Sequence, residues 1–598
     1  MIGVPYIIQN EYNPNKINKT MASKKTFPAW ILLMTVIFIT SCRTAQDEPI
    51  SQPNVLIIFI DDFGWPGIGC YGNSRVETPN IDRIAVEGMK FTDAYVNPQC
   101  TPTRASLLTG QHTARLRMWH VIGRYGFPYA RMHEPPYREN LPAETYTLAE
   151  ALRDNGYRTA LLGKWHLSTW SDRYPVPDGY YTTLFQEGKD KHGFDYVDIA
   201  RNPNYHQTGD KGVDYLTDEA IQFMEEKSDK PFFIYLSHHT IHGPVLAPEP
   251  LVQKYLDLGY PEEGQWNATY LAAIEHMDHS VGRLLDQMKT LGLENNTIVM
   301  FYTDNGGVEK FYSNAPLRAG KGSAYEGGIR VPLMVRWPGK IEAGAVSNLP
   351  VHVTDIYPTF LELTGTEKKK DWILDGISVA PELLGRKMDR ERELFWYMPL
   401  YDYQWGATPS AVIRTGDYKL IKSFGDYYDH HTDTYVPEGR VELYNLAEDL
   451  GETHDLSAED PEMAKILEER LMLWIVEEMH APLPVENPEY DRARIFERSN
   501  DFNFEPFFEH PLPDIRLRTG EALKFPIPRP LVADYDDEGY NLKVDPEPGS
   551  DWPEWLVYNY IDQALLGTPP AAGEWTLILT ATDPYGARAE ETLHISVE

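Results

Sequence analysis

Residues 100–110 read Cys-Thr-Pro-Thr-Arg-Ala-Ser-Leu-Leu-Thr-Gly, which places a candidate nucleophile and a fixed positive charge one helical turn apart. Pro102 suits the first turn of a helix, where its missing N–H costs nothing and its φ is already near helical. Leu107 and Leu108 supply an apolar face, and Gly110 supplies a stop. Cys100 is therefore expected just ahead of a helix N-terminus. Free backbone N–H groups and the positive end of the helix dipole attract an anion there. Arg104 would add its charge to the same spot. A lone Cys before a capped helix is usually a buried structural thiol, so the case depends on what else the chain brings to it.

Asp61, Asp62, Asp304 and Asn305 offer hard oxygen donors. Such donors suit Ca²⁺, or less often Mg²⁺, rather than zinc, which prefers His and Cys. Lys164, His166, His242 and Lys321 could hold an anion or move a proton. Taken singly, adjacent Asp residues often cap helices, a Lys is usually a surface residue and a His a satisfied loop residue. Their placement changes those odds. The apolar run 54–60 ends in Asp61-Asp62, and the run 157–162 leads into Gly163-Lys164-Trp165-His166. The run 231–237 leads into His238-His239-Thr240-Ile241-His242, and the run 297–302 into Asp304-Asn305-Gly306-Gly307. Near-continuous apolar runs of this kind are the pattern of strands buried on both faces. In open α/β sheets ligands gather at the carboxyl ends of strands.

Between those runs lie helical patterns. Thr78-Pro79-Asn80 opens one, closed by Gly88, and Thr147 with Glu150 makes a capping box for another. Segments 216–226 and 270–288 have helical periodicity, and 331–335 reads as a further strand. The alternation implies an α/β fold, a large and mainly parallel sheet sandwiched by helices. From residue 386 the texture changes. Short aromatic or β-branched runs at 394–397, 411–415, 418–423 and 441–446 suggest a small antiparallel sheet, with a helix over 461–479 to pack on it. Residues 481–510, rich in Pro, Glu and Phe, read as a linker. An all-β stretch follows over 511–598, with the alternating run 575–580, a turn at Asp583-Pro584-Tyr585-Gly586 and a last strand over 591–597.

Composition sets limits. The 598 residues carry 55 basic against 89 acidic side chains, a formal charge of −34, which argues against nucleic-acid binding. An anionic substrate must then be captured by a local basic pocket. Lys24 and Lys25 precede an apolar run at 29–38, too short to span a bilayer as a normal helix, and Ile39-Thr40-Ser41-Cys42 follows. This is the layout of an export signal, and its last residues resemble a bacterial lipobox, so Cys42 is expected to be the lipidated first residue of the mature protein. Initiation at Met21 would give a more usual signal length. The 3 cysteines are Cys42, Cys70 and Cys100. Cys70 reads as a small buried hydrophobe, and no disulfide framework is implied.

The string from Cys100 to Gly110 resembles the Cys-x-Pro-x-Arg signature of the type I sulfatases, the arylsulfatase-like family of the alkaline phosphatase superfamily. The resemblance continues through Leu317-Arg318-Ala319-Gly320-Lys321-Gly322 and Glu326-Gly327-Gly328-Ile329-Arg330-Val331-Pro332. It implies oxidation of Cys100 to formylglycine (3-oxoalanine) by a formylglycine-generating maturation enzyme. It also implies Ca²⁺ held by Asp61, Asp62, Asp304 and Asn305 together with the modified Cys100. In that chemistry one hydroxyl of the aldehyde hydrate attacks sulfur in line. The second hydroxyl then loses its proton, sulfate is ejected and the aldehyde returns. Arg104, Lys164 and Lys321 would neutralise sulfate oxygens, His166 would take the second hydroxyl's proton, and His242 or Lys321 would protonate the leaving oxygen. His239 could contact substrate. Arg117, Trp119, His120 and Arg124 could read sugar or sulfate, or simply pack.

The implied activity is a sulfuric ester hydrolase acting on a sulfated polysaccharide or its oligosaccharides, of algal or glycosaminoglycan type. The alternatives are a phosphodiester or phosphonate monoester hydrolase using the same site, and a surface glycan-binding lipoprotein. The expected organisation is an upstream segment and lipoprotein signal (1–42), a tether (43–52), a catalytic domain (53–385), a C-terminal α+β subdomain (386–480), a linker (481–510) and a module resembling immunoglobulin- or cadherin-like domains (511–598). An exported bacterial lipoprotein on the periplasmic or cell-surface side of the outer membrane is implied, held to the membrane by its lipid alone.

Overall fold

The computed structural model describes residues 52–121, 126–138, 140–142, 144–168, 192–198, 209–430, 432, 434–498, 507–508, 512–526, 532–533, 541–559, 564–582 and 588–598. The expected signal, Cys42, Arg124 and the turn at 583–586 lie outside these residues, as does all of the tether but Gln52.

Strand β1 (Asn54–Ile60) is buried at every position. In chain order it is followed by β2 (Met89–Phe91), β3 (Arg158–Gly163), β4 (Tyr196–Asp198), β5 (Phe232–Ser237), β6 (Thr297–Thr303), β7 (Leu333–Arg336) and β8 (Ala345–Ser347). Among the described residues these form one 8-stranded sheet in the order β8-β2-β7-β6-β1-β5-β3-β4. The central pairings of β1 with β5 and β6, and of β5 with β3, are parallel, whereas β7 runs antiparallel to β6 and β2. The apolar run of β1 serves both faces. Val55, Ile57 and Phe59 enter one core, while Leu56, Ile58 and Ile60 enter the other.

Helices cover both faces. Thr78 precedes α1 (Pro79–Val86), and the capping box at Thr147 starts α3 (Leu148–Asp154). Helix α4 is Val213–Glu225, and the long α5 is Ala268–Thr290, whose Leu271, Ile274, Met277, Val281 and Leu284 pack on the sheet. Helix α2 (Cys100–Thr109) departs from expectation in two ways. Cys100 is its first residue, with the extended Gln99 before it, and all ten positions are buried rather than one apolar face. Pro102 does not fix the start, because every N–H of the first turn lacks an intrahelical partner anyway. Gly110 ends the helix at φ 70, in the left-handed region.

The second sheet is antiparallel, β9 (Glu393–Met398), β10 (Ser410–Thr415), β11 (Tyr418–Ser423) and β12 (Arg440–Asn445), in that order. Helix α6 (Pro461–Leu473) packs on it through Ala464, Leu467 and Leu471, then widens into a π turn over Trp474–Glu478, where one continuous helix was expected. Further along, β13 (Gly573–Thr582) and β14 (Arg588–Val597) pair antiparallel over their whole lengths. They lie in a β module with its own core of Leu565, Leu577, Leu579 and Leu593. Cys70 is half-buried, and burial followed by the Asp82 carboxylate pushes its thiol up to about 12.

Candidate active site

Four adjacent strands, β6, β1, β5 and β3, end side by side, and their ends are stitched together through backbone hydrogen bonds. The Asp304 N–H donates to Ile60 O at 3.1 Å, the Asp61 N–H to Thr240 O at 2.9 Å and the Lys164 N–H to Ser237 O at 2.7 Å. Gly163, at φ 97, passes so close to β5 that a Cβ there would lie 2.0 Å from Ser237 O. Asp62 and His166 both hold positive φ, 59 and 61, strain of the kind that collects at functional sites.

Cys100 lies under this rim. Its Sγ is 3.3 Å from Asp61 Oδ1, 3.3 Å from Asn305 Oδ1, 3.7 Å from Asp62 Oδ1 and 3.6 Å from Lys321 Nζ. Lys164 donates to Asp61 Oδ2 at 2.7 Å, and Lys321 to Asp62 Oδ1 at 2.6 Å. The Arg104 guanidinium is wholly buried. It donates to Asp304 Oδ2 at 2.7 and 3.1 Å, to the Lys164 carbonyl at 3.2 Å and to the Ser237 hydroxyl. Asp304 in turn accepts the Asp62 N–H at 3.0 Å. Arg104 therefore directs its hydrogen bonds to protein acceptors.

The electrostatics follow from crowding in a dry pocket. Burial works to raise the Asp61 carboxyl, but Lys164, His242, Arg104 and Lys321 outweigh it and hold that group well below the usual range. Burial and the Asp61 charge lift Asp304 to about 6, against the pull of Arg104. The Cys100 thiol is driven well up by burial and by Asp304, so it stays protonated. His166 is held well down by burial and by Lys164 and Arg104, which leaves it a neutral proton acceptor.

The donor set fits a hard divalent ion. Ligand atoms of Asp61, Asp62, Cys100 and Asp304 all lie within 4.8 Å of one another, and all four residues are buried. Three convergent carboxylates and the Asn305 amide oxygen are donors for a hard divalent cation, and the cluster found among the described residues holds no imidazole.

The imidazoles separate by position. His242 brings Nε2 to 3.9 Å from Asp62 Oδ2, while its Nδ1 is 2.6 Å from Gly243 O. His238 turns into the core and is fully buried, its pKa depressed to about 4 by burial and then by His276. His239 is half-buried, held well down by burial and by Lys164 and Lys211. Trp119 and His120 pack inside, Trp119 edge-on to Tyr397 at 5.6 Å and His120 stacked on Tyr137 at 5.1 Å. Arg117 ends a short helix over Thr113–Leu116 in the left-handed region, with φ 53.

Lys211 escaped the sequence reading. It is buried, and its ammonium donates to the carbonyls of His242 and Pro244, so it braces the loop that carries His242. Burial lowers it to about 8. Its only sequence signal was a Lys close ahead of a helix, which many surface residues share.

Residues 53–366 match the family described as Sulfatase, residues 320–480 the family described as N-sulphoglucosamine sulphohydrolase, C-terminal, and residues 505–598 an Ig domain family. A protein of Formosa agariphila named Sulfatase is 31% identical over 517 residues, which cover 73% of this chain and 91% of that protein. The N-acetylgalactosamine-6-sulfatase of Homo sapiens is 32% identical over 375 residues, 58% of this chain and 68% of that protein. The crystal structure of Ps i-CgsB in complex with k-i-k-neocarrahexaose is similar at a TM-score of 0.57 and 25% identity, over 73% of this chain and 94% of that chain.

Proposed function

We propose, from the premise that this chain belongs to the sulfatase family of the alkaline phosphatase superfamily and is a sulfuric ester hydrolase, that its substrate is a sulfated polysaccharide or an oligosaccharide derived from one, of algal or glycosaminoglycan type. Two similarities support a saccharide. One relative is named for sulfate on N-acetylgalactosamine, and one similar structure holds k-i-k-neocarrahexaose. The observation that carries the reading is the position of Cys100 Sγ, 3.3 Å from both Asp61 Oδ1 and Asn305 Oδ1 and beside the Lys321 ammonium.

Formylglycine at position 100 and a calcium ion would together supply an oxygen nucleophile near neutral pH. Asp61, Asp62, Asp304 and Asn305 would hold the ion. Arg104 fixes Asp304 and the mouth of β5, and so orients the metal-binding carboxylates. Lys164 and Lys321 supply fixed positive charge to the sulfate oxygens. His166, neutral in this pocket, accepts a proton from the group at position 100. His242 or Lys321 returns a proton to the leaving oxygen. Because Cys100 is only 1% exposed in the folded chain, the maturation enzyme would have to reach it before folding is complete. Lipidation at Cys42 would then hold the enzyme on the periplasmic or cell-surface side of the outer membrane.

The experiment is sulfate release from defined sulfated oligosaccharides, run beside phosphate diesters and phosphonate monoesters. Release from at least one sulfated saccharide, with slower turnover of the phosphorus esters, is the expected result. Turnover of the phosphorus esters with no sulfate released from any saccharide would overturn the reading.

A further inference from the structure

We propose that Trp405 is the surface on which the substrate's sugar ring stacks, and is thus a determinant of which sulfated saccharide the site accepts. This rests on the saccharide reading above. The Lys321 ammonium, 3.6 Å from Cys100 Sγ, lies over the Trp405 indole, 5.3 Å from the ring centroid. A sulfate ester joins sulfur to a sugar carbon through one oxygen. The ring of a bound substrate therefore occupies the shell next to the sulfate, the shell that Trp405 borders. The indole is half-buried, with part of its surface left to solvent. A flat, rigid aromatic face fits the C–H face of a pyranose, and its quadrupole already favours the neighbouring ammonium.

The loop bearing Trp405 is built to hold one position. It joins β9 to β10, so the small sheet delivers it to a site made by the large one. Asp402 closes the loop, accepting the Trp405 N–H at 2.9 Å and the Ala407 N–H at 3.0 Å. The Asp402 carboxylate, 1% exposed, accepts a hydrogen bond at 3.1 Å from Gln99, the residue before Cys100. The indole and the nucleophile's helix are thereby tied. Gly406, at φ 65, lies where a Cβ would come within 2.7 Å of His430, and Gly322, next to Lys321, where a Cβ would come within 2.4 Å of the Trp405 Cβ. The Gly322 backbone, one residue on from Lys321, thus lies directly against Trp405, which fixes the spacing between charge and platform.

The test compares the mature full-length enzyme with Trp405→Ala and Trp405→Phe on sulfated mono- and disaccharides. Inorganic sulfate is titrated as an inhibitor of each. Calorimetry measures binding of the same saccharides to Cys100→Ala, with and without Trp405→Ala. We expect Trp405→Ala to raise KM for the saccharide about threefold to tenfold, with the smaller loss in kcat, and to weaken saccharide binding by a similar factor. Trp405→Phe should recover most of this, and inhibition by inorganic sulfate should hold. Equal weakening of sulfate and saccharide would assign Trp405 a merely structural part and overturn the proposal. Unchanged KM in Trp405→Ala would overturn it while leaving the saccharide reading intact. If no sulfated saccharide is turned over or bound while another sulfate ester is turned over, the saccharide reading fails and the stacking assignment falls with it.

Discussion

Two clusters of buried charge have the same parity and opposite designs. The first pairs Asp61, Asp62 and Asp304 with Arg104, Lys164 and Lys321 around Cys100. The second, at the seam between the large sheet and the small one, pairs Asp93, Glu326 and Glu452 with Arg330, Arg414 and Lys419. At the seam the donors and acceptors match off. Arg414 donates to Asp93 at 2.8 Å, Lys419 bridges Glu326 at 2.9 Å and Glu452 at 2.7 Å, and the Glu326 N–H donates to Glu452 at 2.7 Å. Around Cys100 the carboxylate oxygens instead converge on one point, where a thiol has only one proton to offer. The same inventory of charge makes a clamp in one place and a cation-hungry pocket in the other. What separates them is the direction in which the acceptor lone pairs point. Burial does not separate them: the seam side chains are at most 9% exposed and the charged side chains around Cys100 at most 7%, with the 43% exposed His242 side chain lying beside the Cys100 pocket.

The comparison is easiest to break with the substitution of largest effect. Cys100→Ala should lower sulfate release at least about a thousandfold, the scale for removing a covalent nucleophile. It should shift the free energy of unfolding by no more than about 1 kcal/mol, since one small buried group is lost. Steady-state assay and denaturant unfolding of the same preparation check both halves. A large stability loss with the activity loss would mean that the thiol is a core group and that the two clusters are alike.

The seam should show the reverse. Lys419→Ala removes the one ammonium shared by two wholly buried carboxylates and should cost about 3–5 kcal/mol of stability. Activity per folded molecule at low temperature should stay within about threefold, because no seam residue reaches the pocket. Lys419→Met combined with Glu452→Gln should lose less than Lys419→Ala alone, since the second carboxylate is no longer stranded. Denaturant midpoints decide the first point, and the double-variant cycle the second.

The difference between the clusters also marks what was legible in the sequence. Asp61, Lys164, His242 and Asp304 could be grouped because each follows an apolar run that can only be a doubly buried strand, and strands in such a sheet end on a common edge. Cys100 and Arg104 could be read because a helix start has local grammar. The seam had no such signal. Lys419 and Glu326 are separated by 93 positions, and Arg414 and Asp93 by 321, and nothing in the spacing of either pair marks it as a contact. Glu326 and Arg330 stood in the sequence only as part of a family-like segment, yet both belong to the clamp. The use of Arg104 was hidden for the same reason. Its acceptors, Asp304 and Ser237, come from two different strands, so only the folded sheet shows that its donors are engaged. Trp405 was invisible because its meaning comes from Lys321, which reaches it from the loop after β6.

The smallest effect is also the sharpest separation of the two clusters, because it reads one carboxyl. Burial and the neighbouring Glu326 raise Glu452 from an ordinary value of 4.5 to about 7, with Lys419 pulling the other way. Glu326 goes down to about 2, since Lys419, Arg330 and Arg414 together outweigh its burial. Between pH 4.5 and about 7 the folded chain keeps a proton on Glu452 that the unfolded chain gives up, so this group's contribution to stability is full below 4.5 and is lost as the pH climbs through 7. Glu326 has the opposite sign, its contribution lost as the pH falls from 4.5 towards 2. Glu452→Gln keeps the shape and removes the titration. The difference in unfolding free energy between wild type and Glu452→Gln should therefore change by about 1–3 kcal/mol between pH 4.5 and 7.5 and then level off. The pH profile of kcat/KM should be the same in both, because the groups that set it surround Cys100 and not the seam. Denaturant unfolding across pH, paired with the activity profile, measures both. A stability difference that ignores pH would show that Lys419 holds both carboxylates ionised across the whole range.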